Sequence, residues 1–160
     1  MPRGGGLQKR VARSCKDLRG LVTNSILATG EYWIDPEGDR RLLRVFCDMH
    51  TDRGGWTLVT RITPAVGHEQ QVSHHYRAVS KENYSTGNVL VARRALVKLQ
   101  SLIAFTQLRW RCRKQSVGRT IDIMTANNSA GANALDHFLD RVTFPDAWGS
   151  FVRYRTMTRF

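Results

Sequence analysis

The chain has 160 residues, 25 Lys+Arg against 13 Asp+Glu for a formal net charge of +12, and three cysteines. At this length one domain is the default, able to bury about 68–70% of its unfolded surface without metals or disulfides, and 41% hydrophobic with 24% charged residues excludes a disordered chain. No apolar run approaches the ~18 residues of a membrane span, and the charge points to polyanions (nucleic acid, anionic glycan or acidic lipid) without choosing among them.

In chain order, residues 1–14 read as a basic flexible leader, with Arg3, Lys9, Arg10 and Arg13 and no acid. They contain no apolar core of a secretory signal, so the chain reads as intracellular or as an incomplete product. Glu31-Tyr32-Trp33-Ile34 is a short aromatic strand, and Asp35-Pro36-Glu37-Gly38-Asp39 is turn chemistry. Leu42 to Met49 is a second strand. Trp56 to Ile62 is a third, with Trp56, Leu58 and Ile62 on one face. Residues 63–88 lack periodicity and read as a long loop. Val91 to Phe105 is the best helix, with Ala92, Leu96, Leu99 and Ile103 on one side. In Gln107 to Arg113, Leu108, Trp110 and Cys112 alternate with Arg109, Arg111 and Arg113, so one face is core and the other three guanidiniums. Arg119 to Thr125 follows, with Ile121 and Ile123 inward. Ala134 to Val142 is a short helix, and Phe151 to Tyr154 starts a last strand. The order implies an α+β fold with a mainly antiparallel sheet and one or two helices.

Few residues form a chemical constellation. His68, His74 and His75 share a loop with Glu69, but their spacing matches no helical or finger-type metal pattern. His50 and His137 lie near turns and a helix and are not read as catalytic. Asp35, Glu37 and Asp39 alternate like calcium ligands, yet Pro36 intrudes and no glutamate closes the loop, so turn chemistry accounts for them better. Cys112 lies between two arginines, which on a strand point to the other face and do little for a thiolate. The polyanion candidates are Arg109, Arg111 and Arg113, which at a rise near 3.4 Å span about 13–14 Å. The solvated side of an edge strand is their plainer explanation. No RNP-like aromatic pair or recognition-helix pattern supports nucleic acid. Asn83-Tyr84-Ser85 and Asn127-Asn128-Ser129 are N-glycosylation sequons, at Asn83 and Asn127, that matter only in a secreted chain. From spacing alone Cys15, Cys47 and Cys112 fit either one disulfide plus a leftover thiol or three reduced cysteines.

The ordered combination of Cys15-Lys16-Asp17-Leu18, Gly30 to Pro36, Val45-Phe46-Cys47-Asp48-Met49 and Thr51 to Val59 resembles the start of a fibrinogen C-terminal (fibrinogen-like) domain. The collagen C-propeptide shares part of this pattern and is the near alternative. Phe105 to Cys112 and Phe144 to Phe151 look like invertebrate fibrinogen-like variants. The resemblance implies a Cys15–Cys47 disulfide tying a small N-terminal subdomain, and it leaves Cys112 unpaired, buried on the Leu108/Trp110 face or paired outside the chain. It implies a secreted, lectin-like, non-catalytic module with a glycan or protein ligand. The family's calcium loop and ligand pocket have no matching motif after Phe151, so no metal or pocket residue is carried over and residues 15–160 read as a partial domain. The alternative function is binding of heparin or nucleic acid through Arg109, Arg111 and Arg113.

Overall fold

The computed structural model describes residues 10–22, 27–63, 71–80, 82–83 and 87–154. The fold is α+β and the chain forms two compact units, Met1–Ala95 and Leu96–Phe160.

The first unit opens with helix α1 (Cys15–Leu21), whose N-cap Ser14 accepts a hydrogen bond from the Asp17 N–H at 3.0 Å. Strands β1 (Gly30–Ile34), β2 (Leu43–Asp48) and β3 (Trp56–Thr57) form an antiparallel sheet in that order. On β2, Leu43, Val45 and Cys47 are buried while Arg44, Phe46 and Asp48 are half-buried, the period-two pattern of a sheet covered on one face. Cross-strand pairing puts Ile34 beside Leu43 and Tyr32 beside Val45, and Trp33 falls on the other face, where it is exposed. The third strand is shorter than its alternation predicts. Pairing with β2 stops at Thr57, with one more bond from the Leu58 N–H to the Phe46 carbonyl; Arg61 instead bridges Val89, and Ile62 is exposed.

Residues 10–14, which fall inside the expected leader, already pack into this unit. Ala12 is buried, its carbonyl accepts from the Asp35 N–H at 2.8 Å, and Arg13 donates to the Pro36 carbonyl at 2.9 Å. The packed chain therefore begins before Cys15, because backbone bonds and a small apolar side chain anchor it there. Residues 1–9 of that leader lie outside the described residues. The expected loop after the third strand contains β4 (Val72–Ser73), which pairs in parallel with β5 (Leu90–Val91) just beyond it, and a 3₁₀ turn at Tyr76–Val79.

Helix α2 (Arg93–Ile103) is two residues shorter at each end than predicted and leaves Ala92 outside; Ala95 and Leu99 are its buried members, at 2% and 1% exposure, with Leu96 and Ile103 half-buried. In the second unit β6 (Arg109–Lys114), β7 (Arg119–Thr125) and β8 (Phe151–Arg153) form an antiparallel sheet with β7 central. Helix α3 (Ser129–Phe138) starts five residues earlier than the sequence suggests, because Asn128 caps it through the Gly131 N–H at 2.9 Å. Leu99, Met124, Ala134, Leu135 and Leu139 are buried here. Three α-helices are thus present among the described residues, one more than expected; the addition is α1.

Candidate interaction site

Cys15 at the start of α1 and Cys47 on β2 form a disulfide, with Cα atoms 5.6 Å apart and both residues fully buried. Around it, tight turns hold the sheet. The Asp48 carboxylate accepts from the His50 and Thr51 N–H groups, each at 3.0 Å. Gly54 and Gly55 follow at φ of 77° and 88°, and the Trp56 indole donates to the Thr51 carbonyl at 2.9 Å. In this turn the Asp48 carboxylate and the Trp56 indole bond the turn's own backbone.

The Asp35–Asp39 segment is likewise structural. Asp35 is 4% exposed and accepts from the N–H groups of Gly38 and Arg40, both at 2.9 Å. Asp39 and Glu37 both pair with Arg41. Hydrogen bonds from the Arg41 backbone and side chain hold the Asp39 carboxyl below the usual carboxylate range. These carboxylates are committed to turn N–H groups and a guanidinium, which is no calcium cage, and among the described residues no three His, Cys, Asp or Glu side chains gather as a metal set. His68 and Glu69 lie outside the described residues. His74 and His75 are exposed, and His75 Nδ1 accepts from the Arg77 N–H at 3.2 Å. His50 is exposed, while the His137 ring packs edge-on against Phe144 with centroids 4.8 Å apart.

The β6–β7 hairpin corrects two expectations. The alternation itself is right: Trp110 pairs with Ile123 and Cys112 with Ile121 on one face, while Arg109, Arg111 and Arg113 oppose Met124, Asp122 and Thr120 on the other. Burial, however, runs against it. Arg109 is no surface charge. Its Nε donates to Asp122 Oδ1 at 2.7 Å and its Nη2 to Oδ2, with the two side chains only 11% and 10% exposed. The guanidinium also lies 6.0 Å from the centroid of the Tyr154 ring. A carboxylate three residues into the next strand turns one end of the basic face into an internal pair. Only Arg111 and Arg113 of the expected three remain exposed, joined by Lys114 and Arg119 at the hairpin end.

Cys112 is the second correction. The thiol is free, as the resemblance implied, but it is exposed, which overturns its buried alternative alone. The apolar face that carries it is open: Trp110 is 37% and Ile121 40% exposed. Trp110, Cys112, Ile121, Ile123, Phe138 and Phe151 line a shallow concavity there, with the Trp110 ring 4.9 Å from Phe138 and 6.0 Å from Phe151 between centroids. Period-two spacing finds such a face but does not tell whether anything covers it.

Of the two sequon asparagines, Asn127 is exposed in the turn before α3, and Asn83 is exposed with its amide donating to the Ala78 carbonyl at 3.0 Å. Tyr84 and Ser85 of the first sequon lie outside the described residues.

The sequence matches the family described as fibrillar collagen C-terminal domain over residues 1–118, which spans the disulfide-tied unit and reaches through β6. The chain belongs to the fibrillar collagen C-terminal domain family. This is the near alternative of the sequence reading, related to but different from the fibrinogen-like family placed first there. The fibrinogen-like likeness stands for a shorter stretch. The chain is 41% identical over 49 residues to fibrinogen-like protein A of Apostichopus parvimensis, covering 31% of this chain and 17% of that protein. It is 37% identical over 46 residues to the fibrinogen beta chain of Bos taurus, covering 29% of this chain and 10% of that one. The chain thus spans less than a fifth of either relative. In this fibrillar collagen C-terminal domain chain, the β7–α3–β8 segment lies beyond the family match.

Proposed function

We propose that this chain works as a non-catalytic extracellular interaction module with a protein or glycan ligand, the disulfide-tied first unit serving as its frame. The observation that carries the reading is the fully buried Cys15–Cys47 bridge within the family-matched segment. Bridges of this kind persist in oxidising compartments, and fibrinogen-like relatives support the same assignment at family level. The test is expression behind a secretion signal followed by peptide mapping of the non-reduced protein. A Cys15–Cys47 linked peptide with a free Cys112 is expected, and a free Cys15 or Cys47 in the secreted protein would overturn the reading. Enzymatic removal of N-glycans with a mass shift at exposed Asn127 would add support for passage through the secretory route.

A second reading, binding of heparin-like polyanions, is favoured by one observation: Arg111, Arg113, Lys114 and Arg119 are all exposed on one hairpin. Arg109 is left out because Asp122 already holds it. Retention on heparin should fall steeply as salt rises, since counterions are released on binding. Replacing the four cations by Gln should abolish retention, and a flat salt response sinks this reading.

A further inference from the structure

We infer that the outer edge of β6 takes an added antiparallel strand from an extended peptide whose residues alternate between acidic and apolar. This deepens the interaction-module reading and rests on it.

The backbone directions come from the hydrogen bonds of β7. The Tyr154 N–H donates to the Asp122 carbonyl and the Ala126 N–H to the Ser150 carbonyl, so Asp122 and its even-numbered neighbours direct their backbone groups toward β8. The Thr125 N–H donates to the Leu108 carbonyl, so the odd-numbered residues Ile121 and Ile123 bond β6. In an antiparallel ladder these roles alternate. Arg111 pairs with Asp122 and Arg113 with Thr120. Both therefore occupy non-hydrogen-bonded positions toward β7, and their N–H and C=O groups point to the outer edge. β6 is an edge strand of its sheet, and every residue from Trp110 to Lys114 is exposed. Among the described residues no backbone group bonds Arg111 or Arg113 on that side. An unpaired edge of this kind is a template for strand addition.

The side chains select the occupant. A strand added about 4.8 Å away sets its own side chains directly opposite those of β6. Opposite Trp110 and Cys112 it meets the open apolar concavity completed by Ile121, Ile123, Phe138 and Phe151. Opposite Arg111 and Arg113 it meets two exposed guanidiniums with no carboxylate partner among the described residues. Apolar side chains complement the first face and carboxylates the second. A second copy of this chain is a poor occupant, because pairing β6 with itself sets arginine against arginine in a molecule of net charge +12.

The test uses the full disulfide-bonded chain and a synthetic octapeptide of alternating Glu and Val, acetylated and amidated. Backbone amide exchange is followed by NMR. Strand addition predicts slowed exchange at the Arg111 and Arg113 amides, slower alkylation of Cys112, and affinity lowered at least about tenfold by Arg111→Glu with Arg113→Glu. Both arginines are exposed, so that variant keeps its fold, which the unchanged exchange of the Ile121 and Ile123 amides, bonded to β6 in the same unit, verifies. N-methylation of the glutamates, which face the edge in this register, should abolish binding, while N-methylation of the valines should leave it. Equal binding of a block peptide with the same composition, or of both N-methylated peptides, means that charge alone acts and overturns the inference. So does binding without protection at Arg111 and Arg113, or no binding at all. Each of these results is obtained on protein whose Cys15–Cys47 bridge is intact, so it leaves the module reading standing.

Discussion

Asp122 is 8% exposed, and both of its carboxylate oxygens are held by Arg109. Taking two charges out of water costs free energy that their mutual bidentate contact offsets. Removing one partner leaves the other charge buried without its bidentate contact. Asp122→Ala should therefore destabilise the second unit by about 3–5 kcal/mol, whereas Arg109→Met with Asp122→Leu should cost far less. Urea unfolding of the three proteins checks this, and equal losses for the single and double variants would refute the buried-pair account. Tyr76 gives a second residue-scale case. Burial pushes its phenol above the ordinary value of 10.0, with the Arg77 guanidinium opposing the shift through a hydrogen bond. A raised folded-state value means that the fold favours the neutral phenol. The stability this contributes is fully present below about pH 10 and is lost as pH rises through the folded-state value. Unfolding midpoints at pH 9 and 11 should separate more for the wild-type chain than for Tyr76→Phe; identical separations would count against the assignment.

The turn between β2 and β3 depends on glycine for space as well as for conformation. A Cβ on Gly54 would stand 2.0 Å from the Met49 carbonyl oxygen, at a φ of 77°. Gly38 has the same φ but nothing within 4 Å of its Cβ position. Gly54→Ala should therefore destabilise by more than the roughly 1–3 kcal/mol of backbone strain alone, while Gly38→Ala should stay within it. Thermal melts of both variants decide this, and equal losses would show that the close approach is relieved without cost. The two strands joined here also show what is legible at this scale. Leu43, Val45 and Cys47 announce β2 by period two, and Leu108, Trp110 and Cys112 announce β6 the same way. α1 is silent because the seven residues Cys-Lys-Asp-Leu-Arg-Gly-Leu are too few to display a stripe; a Ser14 cap and the disulfide hold it in place of periodicity. The third strand leaves β2 at Thr57 although Leu58 and Ile62 continue the alternation, and Arg61 bridges Val89 instead, a change of partner that local spacing cannot show. In β6 the faces are legible but not their covering. That Arg109 is internal and Cys112 external depends on Asp122 and on an apolar face left open, both set by tertiary register.

The bridge and the hairpin sit in different compact units, and this separates their energetics. Cys15 and Cys47 are 32 residues apart, both inside Met1–Ala95, whereas β6, β7 and β8 lie inside Leu96–Phe160. Closing a loop of that length restricts the unfolded chain by about 3–4 kcal/mol in the chain-entropy model. The constraint acts on the segment it encloses, which comprises α1, β1 and most of β2. Reduction should therefore lower protection of the β1 and β2 amides by the equivalent of about 3–4 kcal/mol. The Ile121 and Ile123 amides, bonded to β6, should keep theirs. Native-state hydrogen exchange with and without reductant measures both sets in one sample. An equal loss in the two sets would mean that the chain unfolds as a single cooperative body, and the bridge would then support the hairpin as directly as it supports the sheet around it.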